Sequence, residues 1–382
     1  MKKIMIFDNS INGHHLEYLH HIHEFACQEK NGNQYIFAVP KDFEQSKDKF
    51  VWSQSDNVNI VFINKKDENL CSKANYFLKS WNYAKILKKY ATQYNVNEIF
   101  LITLIYPFPF LPLFFKSDIK VSGIIYRIYL YEWKTSSFLK KIKDALETYV
   151  MAKAKCTESI FILNDNSAAC YFNKLFKVNK FKFLTDPINP ASTKPQNIRT
   201  KLQISESNEF YLHFGAMYER KGTLTILEAI EKLPDKELKN KCFIFAGKIG
   251  DDIKERFYKK KKTLDKKVKI LVYDEFCPYD FLNNLCFSCN YIIIPYKNIS
   301  CSSGVVGYAA QLRKTLIAPK DGILGKLVRR YNLGITSNIL DPNELAKVIQ
   351  SKKTYVSNSD RYIQASSVMH FCNKIFSNFN KK

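Results

Sequence analysis

Short apolar runs alternate along this chain with longer stretches in which apolar residues recur every three or four positions. The runs predict strands at residues 3–8, 35–39, 58–63, 98–104, 121–126, 159–163 and 181–185, and again at 210–215, 242–247, 268–273, 291–295, 315–318 and 333–336. Strands apolar along their whole length belong to parallel sheets covered on both faces by helices. Each half repeats the strand–helix pattern, so the expected fold is α/β, with two doubly wound, Rossmann-like domains. Pro187, Pro190 and Pro195 fall close together, with Asn, Ser, Thr and Lys filling the gaps up to Ser207, which is linker composition. The expected organisation is a first domain over 1–190, a linker over 191–207, a second domain over 208–358 and a C-terminal helix over 359–382. The apolar positions of that helix, Tyr362, Ile363, Val368, Phe371, Ile375 and Phe379, leave it available to pack back on the first domain.

A chain of 382 residues has room for two such domains, and a hydrophobic content of 46% excludes a largely disordered protein. The net charge of +23 points to an anionic partner: a nucleotide, a phospholipid headgroup or a nucleic acid. The alternative is plain solubility, since lysine is scattered over most of the chain. No helix-turn-helix, zinc-finger or RNP-like pattern supports nucleic acid. The ten cysteines are irregularly spaced, often within apolar runs, which suits reduced thiols in a cytoplasmic protein. Cys286 and Cys289 form a CxxC near Cys277 and Cys301 but lack the second close pair of a zinc site. Lys2 to Asp8 enters a strand directly, without the apolar core of a signal peptide. The longest uncharged run, 99–115, is broken by Pro107, Pro109 and Pro112, so no membrane span is expected.

Ligands of open parallel sheets bind at the carboxyl ends of the strands, so the residues that follow strands carry the chemistry. Ser302, Ser303 and Gly304 open a helical stretch through Leu312. Free backbone N–H groups and the helix dipole would make an anion site there, most naturally for phosphate. An ordinary serine-capped turn is the other reading. Arg220-Lys221-Gly222 follows the strand ending at Gly215 and would set two cations at a strand end, as a diphosphate leaving group needs. After the first strand, Gly13 permits close backbone approach, and five of the seven histidines lie between His14 and His23. These histidines could line a helix face, hold a metal with Glu17 or Glu24, or, at His14 and His15, meet a substrate. Tyr106 to Lys116 is an aromatic, proline-broken stretch that reads as either a buried loop or an edge dipping into a bilayer interface. Lys140, Lys141, Lys143, Lys153 and Lys155 follow it, as in a peripheral protein meeting anionic lipid. Arg127, after the strand ending at Tyr126, is placed to contact an acceptor or a phosphate.

Residues 205–340 resemble the nucleotide-sugar domain of GT-B glycosyltransferases, especially the retaining group called glycosyltransferase family 4. The resemblance rests on Phe214-Gly215, Arg220-Lys221-Gly222, Phe243 to Gly247, Ile294-Pro295, Ser302-Ser303-Gly304, Ala309-Ala310, Lys314 to Ala318, Gly322 and Leu333-Gly334 in that order. The first half matches more weakly, through Gly13-His14-His15. The resemblance implies two domains facing across a cleft and a metal-independent, hexosyltransferase-like enzyme with no cofactor. Its donor would be a nucleotide-diphosphate sugar, its acceptor a hydroxyl of a glycan or lipid-linked glycan in surface polysaccharide or glycolipid synthesis. Lys221 and Arg220 would stabilise the leaving diphosphate, with Gly13, Ser302, Ser303, Gly304, Tyr273, Phe276 and Tyr308 on the donor and His14, His15 and Arg127 on the acceptor side. Retention would let a phosphate oxygen of the leaving group help deprotonate the acceptor. The expected location is cytoplasmic or peripheral on the inner face of the membrane, with an anionic lipid surface as a partner and no nucleic acid. Two departures stand out. Ala216 replaces a frequent arginine, and Ser300 and Tyr308 replace a pair of glutamates, so a non-catalytic GT-B scaffold that binds a sugar nucleotide or a partner transferase is the alternative.

Overall fold

All thirteen apolar runs form strands in the computed structural model, which describes residues 1–12, 14–72, 75–188, 194–300, 302–351, 355 and 358–380. The chain divides into two units, Met1–Thr185 with Val368–Lys382, and Asp186–Ser367. The first unit carries β1 (Lys3–Phe7), β2 (Gln34–Pro40), β3 (Val58–Ile63), β4 (Glu98–Leu101), β5 (Lys120–Ile125), β6 (Thr157–Leu163) and β7 (Phe181–Leu184). They form one parallel sheet in the order β3-β2-β1-β4-β5-β6-β7. The second unit carries β8 (Glu209–Phe214), β9 (Lys241–Ala246), β10 (Lys269–Tyr273), β11 (Tyr291–Ile293), β12 (Thr315–Pro319) and β13 (Gly334–Ser337). Its parallel order is β10-β9-β8-β11-β12-β13. Both units are therefore doubly wound, and their strand orders reverse at β1/β4 and β8/β11.

Period-two alternation divides each strand between two cores. Phe210, Leu212 and Phe214 of β8 pack on one side with the Tyr279–Ser288, Val305–Gln311 and Gly322–Tyr331 helices. Tyr211 faces the other, where Leu224, Leu227 and Ile230 of the Thr223–Lys232 helix cover it. Phe243, Tyr211 and Tyr291 sit in register on β9, β8 and β11 and stack at 5.0 and 4.9 Å. In the first unit, Ile4 and Ile6 pack with the His15–Gln28 helix and with Phe371, Cys372, Ile375 and Phe376 of the Val368–Phe379 helix.

Of the two readings of the aromatic stretch, the buried loop fits: Phe108, Leu111 and Phe115 are almost completely buried, while Leu113 faces out. The prolines break its backbone, yet the rings still find partners, as where Phe110 and Phe114 meet Trp81 edge-on. The polar stretch after Pro195, expected as linker, folds onto the second unit. Ile198 and Ile204 enter its core. Between them the buried Arg199 guanidinium donates to the carbonyls of Ser288, Ser205 and Asn208 and to Asn290 Oδ1.

Arg199 thus ties residues 197–208 to the end of the Tyr279–Ser288 helix. Arg199→Met keeps much of the apolar stem and takes this donor from the Ser288 and Asn208 carbonyls, each worth about 1–3 kcal/mol, whereas the Ser205 carbonyl and Asn290 Oδ1 keep the N–H groups of Asn208 and Phe210. Urea unfolding of the variant is expected to show a loss of at least about 2 kcal/mol; an unchanged midpoint would mean that water replaces the guanidinium freely.

Candidate functional site

The second unit's candidate site lies where its strand order reverses. β8 leads through Glu219–Lys221 to Gly222, which adopts a left-handed conformation (φ 68°) and caps the Thr223–Lys232 helix. A Cβ there would lie 2.0 Å from the Pro295 carbonyl oxygen, so only glycine lets this turn press against the segment leaving β11. The next residue along that segment is Tyr296, buried and absent from the sequence-based candidates. Lys221 Nζ stands 3.6 Å from its ring centroid, and Ser303 Oγ donates to its hydroxyl at 3.3 Å. One side chain therefore joins the Arg220-Lys221-Gly222 turn to the Ser302–Gly304 turn. Arg220 is exposed and lies 5.8 Å from the Tyr218 ring. Among the described residues neither Arg220 nor Lys221 meets a carboxylate, whereas neighbouring Lys297 and Arg256 are both taken by Glu219. Two uncommitted cations at a sheet's reversal point can neutralise an anion.

His213 is the second residue that the sequence pattern missed. It is buried at the end of β8, with Nδ1 2.9 Å from the Ile293 carbonyl and Nε2 3.0 Å from Thr223 Oγ1. The carbonyl can only accept, so Nδ1 carries the proton and Thr223 donates to Nε2. Burial pushes the imidazole down to about 4, and the Lys221 charge adds to this, so it stays neutral near pH 7. It bolts β8, β11 and the start of the Thr223–Lys232 helix together.

The remaining donor-side candidates surround this turn unevenly. The helix after Gly304 covers Val305–Gln311 with Leu312 as its C-cap, and Ser303 Oγ also accepts from the Val305 N–H at 3.4 Å. Tyr308 meets Phe214 edge-on at 5.4 Å. Ser300 is buried, with its N–H and hydroxyl both on Asn298 Oδ1. Tyr273 ends β10 and packs on Phe281, while Phe276 is 82% exposed on the loop beyond. Cys286 and Cys289 are core thiols, and burial pushes Cys289 up to about 12.

In the first unit the reversal lies between β1 and β4. Asp8, completely buried after β1, pairs with His15 Nδ1 at 2.6 Å, and the His15 ring stacks on Tyr126 at 6.0 Å. The carboxylate fixes the proton on Nδ1 and leaves Nε2 as an acceptor, a posture suited to holding a hydroxyl. Burial raises the Asp8 pKa against the lowering pull of His15. His14 is exposed and pairs with Glu17 at 3.3 Å; Gly13 lies outside the described residues. Two other histidines of this helix are structural: His20 stacks on Phe50, and buried His23 packs on Phe37 and Trp52. Among the described residues no group of three His, Cys, Asp or Glu side chains could hold a metal.

Whole-chain comparison with solved structures matches this architecture. HepE of Anabaena, solved with UDP, superimposes with a TM-score of 0.70 at 14% identity over 99% of each chain. WaaG, a glycosyltransferase involved in lipopolysaccharide biosynthesis, gives 0.68 at 13% identity over 100% of each. The apo structure of OtsA gives 0.73 at 8% identity over 100% of each. The fold is GT-B. No family model and no curated protein matches the sequence.

The first GT-B unit also contains a cavity of about 250 Å³ between the Tyr76–Gln93 and Phe138–Lys153 helices, over the ends of β5 and β6. Arg127 lies on its wall, tied to Glu132 by two hydrogen bonds. The expected run of free lysines changes here: Lys140 pairs with Glu132 and Asp144, and Lys143 with Asp144 and Glu147. The Phe138–Lys153 helix is patterned inside out. Its buried face carries Glu147 and Thr148 beside Met151 and Ala152, while Phe138, Leu139, Ile142, Leu146 and Tyr149 are each at least half exposed.

Glu147 lines the cavity at 2% exposure, and burial pushes its carboxyl from 4.5 up to about 7. The folded chain therefore holds this proton more tightly than the unfolded chain between those two pH values. The group's contribution is complete below about pH 4.5 and lost as pH rises through 7, a change on the order of 3 kcal/mol. Denaturant unfolding of Glu147→Gln is expected to lack this decline between pH 5 and 7.5. Parallel pH profiles for variant and wild type would mean that the carboxylate is solvated in place.

Proposed function

We propose that this chain is a glycosyltransferase that moves a sugar from a nucleotide-diphosphate donor to a hydroxyl of a glycan or lipid-linked acceptor. The observation that carries this reading is the pair of cations at the β8/β11 reversal, Arg220 and Lys221, which meet no carboxylate among the described residues, with Gly222 bringing their turn against Pro295 and Lys221 onto the Tyr296 ring. HepE with UDP-glucose supports the class of donor. In this reading Lys221 and Arg220 neutralise the departing diphosphate without a metal, and the turn Ser302–Gly304 offers backbone N–H groups to it. Tyr273 and Phe276 lie beside the nucleoside, and Tyr308 approaches the donor. On the acceptor side His15 Nε2 holds the incoming hydroxyl, with His14 and Arg127 nearby. The acceptor oxygen bonds to the anomeric carbon on the face from which the diphosphate departs, and a phosphate oxygen of that leaving group takes the hydroxyl proton; this same-face transfer retains the anomeric configuration and needs no protein nucleophile.

Lys221→Ala is expected to melt as wild type does and to lose roughly 10- to 150-fold in kcat/KM for donor hydrolysis or transfer, the worth of one charged hydrogen bond at about 1.5–3 kcal/mol. Equal kinetics in a folded variant removes Lys221 from the site. Ser300 and Tyr308 in place of two glutamates favour a second reading, a scaffold that binds the sugar nucleotide without turning it over. Donor-induced thermal stabilisation with no hydrolysis or transfer on any acceptor selects it.

The acceptor reading extends to the bilayer, as a peripheral protein of the inner membrane face. Among the described residues no helix is long and apolar enough to cross a membrane. The exposed stripe Phe138, Leu139, Ile142, Leu146 and Tyr149 nevertheless spans one side of its helix, with Lys141 beside Trp133 along it. Wild-type protein is expected to sediment with phosphatidylglycerol vesicles and not with phosphatidylcholine, and Leu139→Glu with Ile142→Glu to release it. Lys140→Glu should matter less, because Glu132 and Asp144 already neutralise that lysine. Indifference of wild type to anionic vesicles at low salt would leave a soluble acceptor.

A further inference from the structure

The cavity of the first unit holds a carboxyl without a hydrogen bond from the described residues: neither Glu147 oxygen receives one. Lys143 Nζ comes to 3.6 Å of Oε1 but is drawn 3.9 Å over the Tyr76 ring. Glu147 sits on the buried face of its helix beside Thr148 and Met151, where leucine would fill the space with no desolvation penalty. Packing alone therefore gives no reason for a carboxyl here. A ligand that supplies hydrogen-bond donors does.

The rest of the lining narrows the ligand. Ile125, Ile128, Met151, Ile162 and Phe172 are buried and apolar. Tyr76, Tyr106 and Tyr129 add aromatic surface, with Tyr129 stacked on Phe172 at 5.8 Å. Aromatic faces with one embedded carboxyl suit a molecule with C–H faces and an equatorial ring of hydroxyls. Charge argues against an amine. Lys79 stands over Tyr106 and Lys143 over Tyr76, and Arg127 is at the wall, against Asp144 and Glu147 alone on the acidic side of the lining. The volume of about 250 Å³ falls just under the roughly 300–1,000 Å³ of pockets for drug-sized ligands, which favours one ring over a chain.

We propose that this cavity seats a single pyranose ring, one sugar residue of the acceptor, with Glu147 accepting hydrogen bonds from its hydroxyls. That the sugar belongs to an acceptor rests on the proposed transferase reading; the seat itself does not. The ring packs on the tyrosines, and its hydroxyls complete the carboxyl that the fold leaves open.

Met151 lines the cavity and Met217 lies in the other unit, so methyl-¹³C-methionine NMR of the full chain reads the seat directly. The probes are methyl glycosides of common hexoses, hexosamines and hexuronic acids, with cyclohexylmethanol as an apolar control. At least one glycoside is expected to shift Met151 saturably while Met217 stays put. Glu147→Leu is expected to raise the melting temperature and to weaken that binding at least tenfold, a combination that a structural role for the carboxyl does not give. No response of Met151 to any glycoside overturns the proposal, as does wild-type binding by Glu147→Leu or an equal response to cyclohexylmethanol. Donor turnover is measured separately. A chain that seats the glycoside but never turns over a nucleotide sugar loses the transferase reading and keeps the seat, and the reverse result loses the seat alone.

Discussion

Lack of room at position 222 shapes the second unit's site. Any side chain there would strike the Pro295 carbonyl, so glycine brings the turn after β8 against the segment leaving β11. Every other feature of the site follows from that approach. Lys221 finds the Tyr296 ring because the turn is that close, and Ser303 finds the hydroxyl of the same tyrosine. His213 sits beneath, and its neutrality matters. A protonated imidazole in contact with the Ile293 carbonyl and Thr223 would compete with Lys221 for an anion and strain the strand end. Burial holds it uncharged, so it adds no cation beneath Arg220 and Lys221.

The two units repeat one topology and use their reversal points differently. At β8/β11 the groups left uncommitted are cations on exposed turns. At β1/β4 the committed pair is a buried carboxylate and an imidazole, whose geometry is set before any ligand arrives. The first arrangement suits charge that develops on a leaving group; the second suits orienting a neutral hydroxyl. Both rely on strand ends held rigidly by the parallel ladder, with the mobile chemistry confined to the turns.

The strands were legible because each is buried on both faces and so carries an unbroken apolar run, which needs no knowledge of partners. The turn at Lys221-Gly222 was legible for a related reason: a glycine after two cations closes off a strand end, where the chain must change direction. Tyr296 and His213 were not. Each reads as one more aromatic or polar residue at a strand end, and its importance lies in what it touches across the sheet, at Lys221 and Ser303 or at Thr223. Glu147 was hidden by periodicity itself. Its helix shows apolar residues at helical spacing, and the ordinary inference buries them; here Leu139 and Ile142 face out and the carboxyl faces in. The lysines beside it misled in the opposite sense, since composition counts Lys140 and Lys143 as free charge while Glu132 and Asp144 take them up.

The missing glutamates gain a physical meaning from the same geometry. Ser300 is buried and locked on Asn298, and Tyr308 leans on Phe214, so neither position brings a carboxylate to the donor turn. A carboxylate there would hydrogen-bond a sugar or ribose, but it would also offset part of the charge that Lys221 and Arg220 present. Without it the turn presents its cations unopposed at these two positions. In the first unit Asp8 and Glu147 are two carboxyls that the fold shelters from water, Asp8 directly after β1 and Glu147 on the cavity face of the Phe138–Lys153 helix. On the proposed reading, the cations meet the diphosphate while these sheltered carboxyls meet hydroxyls of the acceptor, so recognition of the two substrates is divided between opposite kinds of charge.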